Sequence, residues 1–242
     1  MGTAKRAIAG LLRQGGYEVR RISSRPDANF VERARQLIER RESQTLEDFV
    51  ALSDKYSAPV LGYVRVWNLL TRLAECIDPF DWSLGCTSQL THALQVIEGM
   101  QRDGVSDPDL LLSALVHDIG KLLLLTGEDP VNLGGGNAPI GVFEPGSGFD
   151  NCTFQWSHGE FGYMRLRDYV PDHVAWLVRY HSMSIARCEH LMDERDERYF
   201  RQYYSVFSQY DRRTKSRFEP PRTLIGDYRD LVEEAFPKPI PF

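Results

Sequence analysis

The feature that most constrains the fold is an adjacent imidazole and carboxylate inside an apolar run with helical spacing. His117 and Asp118 stand in the sequence ALVHDIGK, residues 114–121. A carboxylate between Val116 and Ile119 would be buried, and its burial is costly unless a partner or a cation balances the charge. Adjacent side chains on a helix diverge by about 100°, so one such pair can reach two metal ions. The run therefore predicts a dinuclear metal site in a helical protein.

Further potential ligands lie in or beside other apolar segments, far apart along the chain. They are His92, His158, His181 and Asp211. With the first pair they give the order His, His-Asp, His, His, Asp, which is the outline of an HD-type helical domain with two metals. Nitrogen and oxygen ligands without thiolates suit iron, manganese or zinc, so the ligand types alone do not choose the metal.

The spacing of apolar residues predicts an all-α fold, because they recur three and four positions apart over most of the chain. Helices are expected over residues 29–42, 46–56, 59–77, 89–102, 107–126, 157–169, 171–185, 196–211 and 223–235. Thr45, followed by Glu47 and Asp48, is typical of a helix cap and first turn. The glycine-rich stretch 132–148 cannot hold a helix and predicts a loop between the second and third ligand segments.

Composition bounds the class of protein. The chain has 242 residues, of which 42% are hydrophobic, so it can bury a substantial core. We expect one main domain, residues 28–242, after a basic N-terminal extension, residues 1–27. A formal net charge of -5 argues against a nucleic-acid partner and favours a small molecule. No apolar run reaches the roughly 18 residues of a membrane span, so none is expected.

Cysteine usage indicates the compartment. The four cysteines, Cys76, Cys86, Cys152 and Cys188, show no CxxC spacing and no dense framework. A disulfide scaffold or a zinc ribbon is therefore not expected. Free, buried thiols in a reducing environment are expected instead, which predicts a cytoplasmic protein.

Taken together, these motifs resemble those of the myo-inositol oxygenases, which are di-iron members of the HD superfamily. The resemblance covers roughly residues 28–240. It rests on the segment 89–100, the run 117–121, the pair 181–182 and the run 211–215, whose order and approximate spacing agree with the family. The resemblance implies an all-α, HD-domain-like helical bundle that encloses a dinuclear metal site.

The resemblance also implies the cofactors. Two iron ions, as an Fe(II)/Fe(III) pair, would act with O2 as the co-substrate. Asp118 would bridge the ions, and the other ligands would divide into two sets, with His92, His117 and Asp211 on one ion and His158 and His181 on the other. The second, less crowded ion would bind a vicinal diol, and C-C cleavage would convert myo-inositol to D-glucuronate.

Two lysines are expected to act beside the bridging carboxylate. Lys121 lies one helical turn beyond His117, so its ammonium can point into the same cavity and stabilise a substrate alkoxide. Lys121 and Asp118 are therefore the predicted catalytic residues. Lys215 follows Asp211 by four positions, which places it on the same helical face if the helix continues, as a substrate-binding residue.

The remaining predicted substrate contacts include a departure from the family. Asp78 and Asp81 resemble the family's acidic substrate contacts, and Ser182, next to His181, can donate to a hydroxyl. Family members have a longer segment after the glycine-rich turn, with an aspartate that holds the polyol, whereas this chain has a shortened loop with Asn137. An amide donates hydrogen bonds as well as accepting them, so a different hydroxyl pattern is expected to be recognised.

The sequence leaves several functions open. The first is a mixed-valent di-iron oxygenase that cleaves a C-C bond in a cyclitol or related polyol. The alternatives are a di-iron oxygenase that cleaves the C-P bond of a hydroxyphosphonate, an HD-type metal-dependent phosphohydrolase, and a metal-binding regulator without turnover. Lys215 after Asp211 and Ser182 after His181 favour the first.

Overall fold

The computed structural model describes residues 28–83, 87–216 and 219–242. The chain divides into two compact units, residues 1–35 and 36–242. The predicted basic extension, residues 1–27, lies outside the described residues, so its boundary stays a prediction. The predicted functional residues all lie in the second unit.

The described residues are mostly helical, which confirms the all-α class. The α-helices are α1 (Ala28–Glu42), α2 (Leu46–Lys55), α3 (Val66–Arg72), α4 (Gln89–Arg102), α5 (Pro108–Val116), α6 (His158–Leu166), α7 (Asp172–Tyr180), α8 (Ile185–Cys188), α9 (Glu194–Tyr199), α10 (Ser205–Thr214) and α11 (Arg229–Ala235). Shorter 3-10 turns lie at Leu73–Glu75, Pro79–Ser83, Ile119–Thr126, Pro130–Leu133, Phe149–Asn151, Glu189–Leu191 and Ile225–Tyr228. Two short strands, β1 (Tyr63–Val64) and β2 (Ile240–Pro241), pair antiparallel.

Side-chain caps fix where several helices begin. The Thr45 hydroxyl accepts from the Asp48 backbone amide in a capping box, which confirms the predicted start of α2. Ser88 and Ser157 cap α4 and α6 in the same way, so that His158 is the first residue of its helix. Because a cap satisfies amides that the helix leaves unpaired, these serines set the point at which each ligand-bearing helix starts.

Several predicted helices are shorter in the structure. The expected helices 157–169, 171–185 and 223–235 are reduced to α6, α7 and α11, and two others change more. The expected helix 59–77 is instead β1, α3 and a 3-10 turn, because residues 61–64 pair with the C-terminal residues 240–242. The expected helix 107–126 ends as α5 at Val116, and a 3-10 segment follows His117 and Asp118. At this break, His117 Nε2 lies 3.3 Å from Asp118 Oδ2, so the two side chains do not diverge as expected for neighbours within one helix.

The predicted helix 196–211 also differs. It is composed of α9, a π-helical turn at Phe200–Tyr204, and α10. Asp211 therefore lies inside α10 and not at its end, and Lys215 follows the helix with extended backbone angles. The helix does not continue through Lys215, so Lys215 does not share the predicted helical face with Asp211. The Lys215 side chain reaches the cavity from beyond the end of α10.

Glycines allow the helices around the site to approach closely. A Cβ on Gly159 in α6 would lie 2.6 Å from the Arg179 carbonyl oxygen in α7, and one on Gly120 would lie 1.9 Å from the His158 carbonyl oxygen. Since real Cβ contacts are not this short, both positions require glycine for the observed packing. The apolar core around them includes the fully buried rings of Trp156, Trp176, Phe161 and Phe207.

Two further expectations concern the environment of the chain. Among the described residues, no helix is long and apolar enough to cross a membrane. Cys76, Cys152 and Cys188 are buried free thiols, as expected, whereas Cys86 lies outside the described residues.

Candidate metal centre and active site

The structure brings the six predicted ligands together in two adjacent groups. In the first, His92 Nε2 is 2.9 Å from Asp211 Oδ1, and His117 Nε2 is 3.7 Å from the same oxygen. In the second, His158 Nε2 is 3.0 Å from His181 Nε2. Helices α4, α6 and α10 and the C-terminal ends of α5 and α7 supply these side chains, which explains their wide separation in sequence.

Asp118 lies between the two groups. Its Oδ2 is 3.3 Å from His117 Nε2 and 3.9 Å from His92 Nε2. Its Oδ1 is 3.1 Å from His158 Nε2 and 3.6 Å from His181 Nε2. Each oxygen of this carboxylate therefore faces a different group of imidazoles, an arrangement in which one carboxylate can bind two cations.

Three of the four imidazoles, those of His117, His158 and His181, are oriented as metal ligands require, whereas His92 Nδ1 is buried without a hydrogen-bond partner among the described residues. The Nδ1 atoms of His117 and His181 lie 3.0 and 2.9 Å from the carbonyl oxygen three residues earlier, and that of His158 lies 2.5 Å from the Leu133 carbonyl oxygen. Because a carbonyl oxygen only accepts, these nitrogens carry the proton of the neutral ring, which leaves the lone pair on Nε2. The Nε2 atom of His117 is buried and makes no hydrogen bond.

The close approach of the Nε2 atoms of His158 and His181 itself indicates a cation site. With Nδ1 protonated on both rings, two acceptor lone pairs face each other at 3.0 Å. Such a pair is unfavourable unless a proton or a cation lies between them or beside them. A metal ion coordinated by both nitrogens would satisfy it.

Electrostatics favour the ligating forms of His92, His181, Asp118 and Asp211. Burial lowers the pKa of both His92 and His181 to about 4, so their imidazoles are neutral at neutral pH. Burial alone would raise the pKa of Asp118, but Lys121 and His117 outweigh it and hold that pKa well below its usual range. Burial alone would lower the pKa of His117, but Asp118 and Asp211 outweigh burial and raise that pKa, so metal binding through His117 would release a proton. With that proton lost, the imidazole nitrogens and ionised carboxylate oxygens form a donor set that fits two iron, manganese or zinc ions.

A cavity of about 270 Å³ opens beside this centre. It is lined by Asp78, Phe80, Asp81, Asp118, Lys121, Gly135, His158, His181, Ser182, Asp211, Arg212 and Lys215. Its volume is close to the lower end of the roughly 300–1,000 Å³ of small-molecule sites. Five of the six predicted substrate contacts lie on its wall, and Asn137 does not.

Lys121 makes three hydrogen bonds inside the protein. Its Nζ is 2.9 Å from Asp78 Oδ2, 3.0 Å from Asp118 Oδ2 and 3.1 Å from Gln89 Oε1. An ammonium has three N-H donors, so a substrate oxygen would have to replace one of these partners, and the neutral Gln89 amide is the most distant. Burial lowers the pKa of Lys121, but Asp118, Asp78 and Asp81 outweigh burial and raise it well above its usual value, so the group stays cationic.

Lys215 reaches the same wall from the other side. Its Nζ lies 2.7 Å from Asp81 Oδ2, which also accepts from Gln89 Nε2 at 2.8 Å. The amide of Gln95 donates to the carbonyl oxygens of Ser216 and Glu219 at 2.5 and 2.7 Å, and so holds the segment that carries Lys215. Sequence reasoning missed both glutamines, although they stand three residues before and after His92 and therefore share its helical face.

Asn137 lies behind the cavity wall. It is 2% exposed; its Oδ1 accepts from Arg41 at 2.5 Å, and its Nδ2 donates to the hydroxyls of Ser157 and Ser182 at 2.9 and 3.4 Å. These bonds tie the glycine-rich loop to the core, and Gly135 of that loop lines the cavity. A direct substrate contact by Asn137 therefore has no support from its position.

Arg212 is a further lining residue that sequence reasoning did not single out. Its guanidinium donates to the hydroxyl of Tyr204 at 3.1 Å. The position of Arg212 directly after Asp211 was the available signal.

The chain is an all-α, HD-like helical bundle, and its His, His-Asp, His, His and Asp residues converge on one centre that could hold metal ions. A family model described as myo-inositol oxygenase matches residues 31–141 and 132–242. The chain belongs to this family, and it is therefore an enzyme of the oxygenase class, an oxidoreductase. The two matched stretches overlap at residues 132–141, in the glycine-rich loop.

Curated relatives agree with this membership. The chain is 24% identical over 236 residues to inositol oxygenase 5 of Arabidopsis thaliana, covering 81% of this chain and 74% of that protein. It is 25% identical over 235 residues to a probable inositol oxygenase of Oryza sativa subsp. japonica, covering 81% and 76%. It is 24% identical over 212 residues to inositol oxygenase of Danio rerio, covering 72% and 76%.

Proposed function

We propose that the chain is a mixed-valent di-iron oxygenase that uses O2 to cleave a C-C bond of a cyclitol, with myo-inositol as the reference substrate. The observation that carries the proposal is the position of Asp118, whose two oxygens face different groups of imidazoles beside a polar cavity. The names of the relatives, all inositol oxygenases, support the substrate class.

The proposed reaction balances without a further reagent. One myo-inositol and one O2 give one D-glucuronic acid and one water. A ring C-C bond breaks, the two carbons are oxidised, and O2 accepts four electrons. The reaction therefore needs no external reductant in each turnover.

The ligand assignment follows the two groups of side chains. Asp118 would bridge the metals, with one held by the first group and the other by His158 and His181. When bound, the iron pair would supply O2 activation and coordination of the substrate diol. His158 and His181 with Asp118 would give the second ion fewer protein ligands, which would leave more room for substrate oxygens.

The residues around the cavity would bind and orient the polyol. Asp78 and Asp81 accept hydrogen bonds from hydroxyls, and Ser182 donates or accepts one. Lys121 would keep Asp118 ionised and, by exchanging its bond to Gln89, would donate to a substrate oxygen as negative charge develops there. Lys215 would balance the negative charge of Asp81, as Lys121 does that of Asp118.

Other functions considered from the sequence receive less support. The relatives above are named inositol oxygenases, which does not favour a hydroxyphosphonate oxygenase or a phosphohydrolase. A cytoplasmic location and the absence of a nucleic-acid partner stay predictions. A polyol as the small-molecule partner is part of the proposal.

Iron analysis combined with product analysis tests the proposal. The protein is loaded with Fe(II), its iron is quantified, and EPR spectra are recorded after partial oxidation with and without myo-inositol. We expect two irons per chain, a coupled mixed-valent signal that substrate perturbs, O2 uptake and formation of D-glucuronate. Phosphate release from a phosphoester without O2 uptake would instead establish a hydrolase, and C-P cleavage of a hydroxyphosphonate would establish the other oxygenase.

A further inference from the structure

The cations on the cavity wall differ in how their charge is balanced. Lys121 pairs with two aspartates, and Lys215 pairs with Asp81 at 2.7 Å. Arg212 forms no salt bridge with any residue that the structure describes, and its hydrogen bond goes to the neutral phenol of Tyr204. The unbalanced positive side chain of this cavity is therefore Arg212.

The environment of Arg212 suits recognition of an oxyanion. A guanidinium presents five N-H donors in a planar fork, which matches the oxygens of a carboxylate or a phosphate. Tyr204 engages one edge of this fork at 3.1 Å and is itself only 3% exposed, so it provides a fixed anchor. The other N-H groups of Arg212 donate to no residue that the structure describes, and Arg212 is an exposed residue of the cavity wall.

The location links such an anion to the substrate. Arg212 directly follows Asp211, a proposed metal ligand, and both line the same cavity. A molecule small enough for about 270 Å³ that reaches the metal centre would therefore also come close to Arg212. A neutral polyol offers this guanidinium no opposite charge.

We propose that Arg212 is a specificity-determining residue that binds an oxyanion substituent of the substrate. The preferred substrate class is then a cyclitol that carries a phosphate or carboxylate group. This inference rests on the proposed function, because it concerns the substrate of the same oxidation.

Arg213 provides a matched control. It is the next residue of α10, it is also exposed, and its Nε donates to the Gln209 carbonyl oxygen at 2.8 Å. It lines a different cavity, with Gln95 and Tyr210 on the wall. Arg212→Gln and Arg213→Gln remove the same charge from adjacent positions, so a difference between them reports on the substrate cavity and not on the overall field.

The experiment compares three probes: myo-inositol, a myo-inositol monophosphate and quinate, a cyclohexane polyol carboxylate. kcat/KM is measured by O2 uptake, and binding by anaerobic calorimetry, for the parent, both glutamine variants and Arg212→Lys. We expect the parent to prefer one oxyanion over myo-inositol at least tenfold, about 1.4 kcal/mol. Arg212→Gln should lower this preference at least tenfold and Arg213→Gln less than twofold. Arg212→Lys keeps the positive charge but lacks the planar guanidinium, so its preference for the oxyanion should lie between those of the two glutamine variants.

The two oxyanion arms distinguish phosphate from carboxylate recognition. A preference that is equal in Arg212→Gln and the parent, or one that Arg213→Gln lowers as much, would overturn the inference, as would a parent that prefers myo-inositol to both oxyanions. If no probe is oxidised but Arg212→Gln alone loses oxyanion binding, the proposed oxidation fails and the role of Arg212 stands. If myo-inositol is oxidised and Arg212→Gln does not change oxyanion binding, the proposed oxidation stands and the role of Arg212 fails.

Discussion

Asp118 is the residue that both groups of imidazoles share. Replacement by Ala removes an oxygen from each group, so we expect Asp118→Ala to lose both metal ions together and not merely to turn over more slowly. Iron quantification after loading measures this. Asp54→Ala, which changes an exposed aspartate of α2, is the control and should keep its iron. Two irons per chain with an intact coupled spectrum in Asp118→Ala would rule out the bridging role.

Lys121 tests the chemistry beside that bridge. Lys121→Met keeps much of the apolar stem but removes the cation, so we expect retained iron and a fall in kcat/KM of at least tenfold, about 1.4 kcal/mol. Lys238→Met, at an exposed lysine, is the control. Because Lys121 also neutralises Asp78 at 2.9 Å, the double variant Lys121→Met with Asp78→Asn restores the charge balance and separates folding from turnover. Turnover within about threefold of the parent would contradict the assignment.

For single residues, the sequence predicted which metal-ligand side chains come together, but not the hydrogen bonds by which side-chain amides hold their surroundings. His92 and the other predicted ligands stood out because burying an imidazole or a carboxylate in an apolar segment is costly without a partner. Gln89 and Gln95 did not stand out, because a glutamine in a helix is common. Their roles come from hydrogen bonds to residues in other segments, Asp81 and Ser216. The inward position of Asn137 likewise depends on Arg41, 96 residues away in sequence.

Among the elements, the 3-10 segment that follows Asp118 depends on close packing against α6. A Cβ on Gly120 would lie 1.9 Å from the His158 carbonyl oxygen, and backbone cannot move aside cheaply. We expect Gly120→Ala to lower the free energy of unfolding by about 3 kcal/mol or more. Chemical denaturation measures it, with Gly226→Ala as the control because nothing lies within 4 Å of a Cβ there. Equal unfolding midpoints for the two variants would show that this contact is not rigid.

Glu128 links α2 to the loop that precedes the glycine-rich stretch. Its carboxylate accepts from Lys55 Nζ at 2.5 Å, from the Tyr56 hydroxyl and from Asn132 Nδ2 at 2.7 Å. Burial alone would raise the pKa of Glu128, but these hydrogen bonds outweigh it and lower that pKa. A lowered folded-state pKa means that the stabilisation is present above the unfolded value of about 4.3 and is lost as the pH falls through the folded value.

We therefore expect Glu128→Gln to be less stable than the parent at pH 7, by about 1–3 kcal/mol. The difference should shrink as the pH is lowered below about 4.3, because the parent then loses the same charge. Denaturation curves at several pH values measure this, and Glu47→Gln, at an exposed residue of α2, is the control. A difference that stays constant down to pH 3 would mean that ionisation of Glu128 does not contribute.

The boundaries of elements were harder to predict than their order. The apolar spacing of residues 107–126 continues through the break at His117, because a 3-10 segment also places every third residue on one face. Just beyond the end of α5, the His158 backbone lies against Gly120, a contact 38 positions apart in sequence that no local pattern reveals. Residues 61–64 leave the predicted helix 59–77 for a comparable reason, since their partners are residues 240–242.

For the molecule as a whole, the metal ligands connect segments that span residues 92–211. Helix spacing along the sequence was enough to predict the all-α class, whereas the convergence of these segments depends on packing that no local pattern encodes. Metal binding to the folded centre should therefore stabilise the entire bundle, because the unfolded chain does not hold the ligands together.

We expect chelation to lower the unfolding temperature and iron to restore it. An ion at 100 times its Kd contributes about 2.7 kcal/mol if it binds only the folded state, and in a chain of this length about 1 kcal/mol corresponds to roughly 2–4 °C. The expected rise is thus about 5–10 °C for each tightly bound ion. Calorimetry of the chelated and iron-loaded protein measures it, and Asp118→Ala should show no rise. Iron that is bound but leaves the unfolding temperature unchanged would mean that the ligands do not unfold with the bundle. Five of the six ligand side chains are buried in the core and that of Asp211 is half-buried, and this burial is the physical reason to expect the opposite.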